Sequence, residues 1–228
     1  MAVIHHTTMS PTKLELLAGW LPARSWYVRT RSAPELSRAG GFRIDDPAGE
    51  VGIEFMVVTD TSGDRPIAYH VPLTYRGAPL DGAEEGLVGT SEHGVLGRRW
   101  IYDGVHDPVL VAQLLALLQG KAEAQHQSLS DTPDPSVAAH FTGPALPEPA
   151  AARAVVDGPD GTRLAVEPAE GGPLALTVSR VLRAQGPGTA GDSAAQAGTR
   201  AHLTAGWTAP DGAERRGLFA VLRAADAG

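Results

Sequence analysis

An α+β fold follows from three patterns in these 228 residues: antiparallel strands packed on helices, then a small antiparallel β unit. Apolar residues alternate with period two between Val51 and Tyr75, the signature of a half-buried strand pair. The run "PVLVAQLLALL" behind Asp107 is apolar around most of a helical circumference, which suits a helix lying deep against a sheet. Beyond residue 150 there are only short strand patterns with turn signals. Between these halves, 126–150 is rich in proline and serine and lacks a period. It is expected to be a linker, dividing the chain into 1–125, 126–150 and 151–228.

In chain order, Pro11 to Trp20 is an amphipathic helix with Leu14, Leu17 and Ala18 on one face. Thr12 and Glu15 have the spacing of a capping box, and Pro22 ends the helix. A strand is expected over Phe42 to Asp45. The hairpin follows, with Val51, Ile53, Phe55 and Val57 on one face and Ile67, Tyr69, Val71, Leu73 and Tyr75 in the return strand. "TSGDRP" turns between them. Pro72 cannot donate to a ladder, so it points to an edge strand or a bulge, and a blocked edge favours a monomer. Another strand is expected over Val95 to Tyr102. Asp107-Pro108 then opens the main helix, with an N-cap carboxylate and a proline at the first turn, running to about Gln125. The last part gives two hairpins, turning at "GPDG" and "DG", a long strand "PLALTVSRVLRA", and a loop over 185–198.

Composition narrows the chemistry. Apolar residues reach 43%, which is enough to bury a core. The net charge of −7 argues against a nucleic-acid or anionic-membrane surface. No cysteine is present, which removes disulfides, zinc–thiolate sites and cysteine nucleophiles. No signal peptide is evident, and the longest apolar run is too short to cross a bilayer, so a soluble cytoplasmic protein is expected. The only lysines are Lys13 and Lys121, and asparagine does not occur.

Three stretches together resemble the N-terminal cap domain of bacterial maltokinases and related sugar kinases: "LELLAGWLPARSWY", "YHVPLTYRG" and "HGVLGRRWIYDGVHDPVLVAQLLALL". Their shared features are a Trp-Leu-Pro stretch ahead of an aromatic pair (Trp26, Tyr27), a Tyr-x-Val-Pro strand, and a Tyr-Asp…His-Asp-Pro entry to a helix. The resemblance implies a curved antiparallel sheet packed on helices over roughly 12–125. It also implies a partner: a sugar kinase or an enzyme of α-glucan, maltose or amino-sugar metabolism. In such kinases a body that binds ATP and sugar follows the cap. Phosphoryl transfer of that kind needs a strand lysine, a catalytic aspartate and an asparagine for magnesium. No position here matches that set, so no catalytic residue and no cofactor is assigned.

The densest chemistry lies in "HGVLGRRWIYDGVHDP", His93 to Pro108. Read as a site, it offers His93, His106, Asp103 and Asp107 with Arg98 and Arg99 for an anion. Read as structure, Asp107 caps a helix, the glycines make turns, and Trp100 and Tyr102 face a core. A ligand or partner surface is expected from Trp26, Tyr27, Arg98, Arg99, Trp100, Tyr102, Asp103 and His106, and a sugar or sugar phosphate is the alternative occupant. Asp103 and His106 are placed to face each other across Gly104, as a pair and not a metal site. His5-His6, Asp45-Asp46, Glu84-Glu85 and Ser91, Ser128 and Ser130 lack a catalytic context, and no metal site is assigned.

Overall fold

The computed structural model describes residues 8–129, 131–146, 151–159, 161–167, 172–186 and 198–225. His5-His6, Ser130 and most of the 185–198 loop lie outside these residues.

Antiparallel strands dominate, and helix is the minor component. The first sheet is built from β1 (Met9–Ser10), β2 (Leu36–Ile44), β3 (Gly52–Asp60), β4 (Ile67–Arg76), β5 (Leu87–His93), β6 (Gly97–Asp103) and β7 (Gln125–His126), in the order β1-β5-β6-β4-β3-β2-β7. A second sheet contains β8 (Ala138–Phe141), β9 (Ala151–Gly158), β10 (Gly161–Glu167), β11 (Leu174–Ser179), β12 (Thr199–Thr208) and β13 (Glu214–Ala224), in the order β8-β12-β13-β11-β10-β9. Helix α1 spans Lys13–Trp20 and α2 spans Pro108–Leu118.

Alternation decides which face each side chain takes. Ile53, Phe55 and Val57 of β3 enter one cluster, and Met56 and Val58 enter another. Tyr69, Val71 and Leu73 of β4 join the second cluster beside Leu17, Leu21, Trp26 and Tyr27, so α1 and the turn after it cover that face. The first cluster is shared. It combines Phe42, Phe55 and Val57 of the first sheet with Leu176, Leu203, Trp207 and Phe219 of the second and six buried residues of α2. Phe42 stacks on Phe55 with centroids 4.6 Å apart. The sheets approach each other closely at Gly40, where an added Cβ would lie 3.4 Å from the Trp207 Cα. The backbone of Gly40 is at φ +142°, a conformation side-chain-bearing residues avoid.

A second junction is made by hydrogen bonds. After β11 the chain reaches the edge of β4: the His70 N–H donates to Arg180 O (2.9 Å) and the Leu182 N–H donates to Ala68 O (2.8 Å). The expected long strand "PLALTVSRVLRA" thus breaks at Arg180, half in one sheet and half against the other. Pro72 is explained here. Its strand is interior, between β6 and β3, not an edge. By the period of two, its nitrogen faces the same side as the His70 amide. That side is the joint where Arg180 to Leu182 stop and β6, which pairs from Leu73, has not begun. The edge reading of Pro72, and the monomer argument built on it, are corrected.

Three other expectations change. Helix α2 stops at Leu118, not Gln125, because Gly120 takes φ +70° and a Schellman closure forms: Lys121 N–H to Ala116 O (2.8 Å) and Gly120 N–H to Leu117 O (3.0 Å). The strand expected at Phe42 begins earlier, at Leu36. The stretch 126–150 contributes β8, which pairs with β12, and Leu146, which is buried in the shared cluster. The Thr12–Glu15 capping box and both hairpins of the last part form as expected.

Candidate functional site

Arg180 is fully buried at the joint between the sheets. Its Nη2 donates to Asp103 Oδ2 (2.6 Å) and its Nε donates to Thr162 Oγ1 (2.7 Å). The Thr162 hydroxyl in turn donates to Asp157 Oδ1 (2.6 Å). The guanidinium carbon lies 5.1 Å from the centre of the Trp26 ring, a cation–π distance. Trp26 and Tyr27 both pack on Tyr69, at 6.0 and 5.3 Å between centroids. The Tyr27 hydroxyl donates to Asp60 Oδ2 (2.6 Å); burial and that carboxylate raise its pKa to about 12. The Tyr69 oxygen accepts from the Val28 N–H.

His70 closes the back of this site. Its Nδ1 is 2.9 Å from Ser179 O, and a carbonyl only accepts, so Nδ1 carries the proton and Nε2 is bare. Burial first, then the charge of Arg180, pulls the His70 pKa down to about 3, against the pull of the Ser179 carbonyl. The imidazole is neutral at pH 7 and packs on Phe219 at 4.4 Å. Each member of this group is buried or tied to a buried partner, so the arrangement holds two sheets together and offers no open acid–base pair.

A second buried charge sits on β3. Glu54 accepts from Lys13 Nζ, the Tyr75 hydroxyl and Gln127 Nε2. Burial pushes its pKa up, but the Lys13 charge and these three donors outweigh it and hold the carboxyl at about 2. One carboxylate thereby fastens α1 and the segment after β7 to the sheet.

The residues expected to form one surface are divided. Trp26 and Asp103 meet at Arg180, and Tyr27 is buried beside them. Tyr102 is buried, its oxygen accepting from the Leu80 N–H. Arg98 is exposed and Arg99 half-buried on the β5–β6 hairpin, where Arg98 pairs with Glu92 and Arg99 donates to Leu96 O. Trp100 is half-buried, opposite Arg76 and Thr90. His106 packs over Gly86, filling the space where a Cβ would go. Asp103 turns to Arg180, 77 residues away in sequence, and Asp107 caps α2 at the Val109 N–H while accepting both Nε and Nη2 of Arg76. Arg180, Thr162, His70 and Glu54 were missed. The signal available was a lone charge inside an apolar run, Arg180 in "LALTVSRVL" and Glu54 in "GIEFMVV".

Among the described residues, the architecture is mostly antiparallel β sheet with two short α-helices. Residues 20–107 match the family model described as the maltokinase N-terminal cap domain. The resemblance drawn from the motifs is thereby shown over that segment. None of the curated proteins compared with the chain matches it. Among the described residues, no helix is long and apolar enough to cross a membrane.

Proposed function

We propose that this chain is a non-catalytic, cap-type accessory module. It works in the cytoplasm on or with a sugar kinase or another enzyme of α-glucan or maltose metabolism. One observation carries the reading. The cap motif residues Trp26, His70 and Asp103 meet at Arg180, which lies outside the matched segment. The motif serves as a socket for the next part of the chain, and its groups are buried in that assembly. The lack of any asparagine, and the absence of a strand lysine at a phosphate site, agree with that role. We further propose 1–125 as the cap unit and 151–228 as the unit that plugs it.

The test has two arms. The purified chain, given ATP, magnesium and maltose, is expected to form no sugar phosphate. Mixed with the maltose kinase or glucan enzymes of the same cell, it is expected to co-elute with one of them in size exclusion. Sustained sugar phosphorylation by the chain alone overturns the proposal.

A further inference from the structure

We propose that His140 and His202 form a two-imidazole binding site for a divalent transition-metal ion, of the kind represented by copper(II), nickel(II) and zinc(II). The two residues stand directly opposite each other on β8 and β12. Opposed residues of an antiparallel pair share a face. Their rings lie 5.2 Å apart between centroids and are tilted by 37°. Metal–nitrogen bonds of about 2.0–2.1 Å ask for two ring nitrogens about 3 Å apart, which a small side-chain rotation from this geometry supplies.

The surroundings suit a ligand pair. Ala201, Leu203 and Ala205 enter the shared core, so His202 between them projects from the opposite face. Strand β8 is the edge of its sheet and His140 is exposed, which leaves the pair open to solvent on one side. On the other side His202 is flanked by Val221. Arg200, the cation on the same strand face, is turned away: it donates to Pro144 O (2.7 Å) and its guanidinium carbon lies 5.9 Å from the Phe141 ring. Burial and the neighbouring His140 lower the His202 pKa, which keeps its nitrogen lone pair available at neutral pH. Among the described residues no third histidine or carboxylate joins the pair, so water completes the coordination. Imidazole nitrogen selects the later first-row metals over magnesium and calcium, with copper(II) the tightest. The site lies away from Arg180, so it stands or falls independently of the cap reading.

The experiment is calorimetric titration of the untagged full-length chain at neutral pH with copper(II), nickel(II), zinc(II) and magnesium. His140→Gln, His202→Gln and the double variant His5→Ala/His6→Ala are titrated beside it. One ion per chain is expected for the parent protein and for the His5→Ala/His6→Ala variant, with no heat from magnesium. Each glutamine variant is expected to lose at least about tenfold in affinity, because loss of a direct ligand costs no less than loss of an outer-shell partner. Unfolding without metal is measured for every variant; His140 is exposed on an edge, so His140→Gln carries the test if His202→Gln melts early. The proposal is overturned if no ion binds, if both glutamine variants bind as the parent does, or if binding disappears only with His5 and His6.

Discussion

Removing one end of a buried ion pair strands the other end where water does not reach it. Asp103→Ala is therefore expected to lower unfolding stability by about 3–5 kcal/mol, read from urea titration. The double variant Asp103→Leu/Arg180→Met removes both charges and should recover a large part of that loss, giving a non-additive cycle. Strict additivity would show that the two charges do not depend on each other. Two further residues set how stability varies with pH. Neutral His70 has a folded pKa near 3 against 6.5 in the unfolded chain, so the unfolded state binds the extra proton between those values. Stability is full above pH 6.5 and falls as pH drops toward 3, by up to about 1.4 kcal/mol per pH unit. Glu54, held at about 2 against 4.5 in the unfolded chain, adds its own loss from pH 4.5 down to 2. His70→Phe should flatten stability between pH 6.5 and 4.5 and leave the Glu54 fall below; an unchanged profile would show that His70 is not buried as a neutral ring. None of these pairings is visible in sequence, because the partners of Asp103, Glu54 and His70 lie on other elements far along the chain and nothing local encodes them.

Among the elements, α2 is the one on which both sheets depend, since its buried leucines contact residues of each. Leu114→Ala, at a position only 1% exposed, is expected to cost about 2–5 kcal/mol by urea unfolding, the range for a leucine truncated in a packed core. A cost below 1 kcal/mol would mean that the helix does not fill the space between the sheets. The start of α2 was legible because Asp107-Pro108 is a local signal. Its end was also local, since Gly120 provides the left-handed residue of a Schellman closure, but the apolar run drew the expected helix past it. The alternating strands β3 and β4 were legible because each buries a regular face. Strand β8 was not: "AAHF" lies among prolines and serines and earns its place only by pairing with β12, about sixty residues later.

At the scale of the whole chain, two sheets separated by a proline-rich stretch share one apolar cluster and exchange backbone hydrogen bonds at Arg180 and Leu182. Sequence periodicity located both sheets but carried no information on their mutual packing, since each face pattern is satisfied by any apolar cover. The expected outcome is a single cooperative unfolding transition, with tryptophan fluorescence and far-ultraviolet circular dichroism coinciding. Two separated transitions would instead establish 1–125 and 151–228 as independent folding units. The break of β11 at Arg180 also bears on transplantation. A cap segment grafted onto a foreign protein without an arginine-bearing strand would carry Asp103 as an unneutralised carboxylate beside an open stretch of β4 edge. Such a chimera would seek a substitute strand from its neighbours, so the designer's first task is to transplant Arg180 to Leu182 along with the cap.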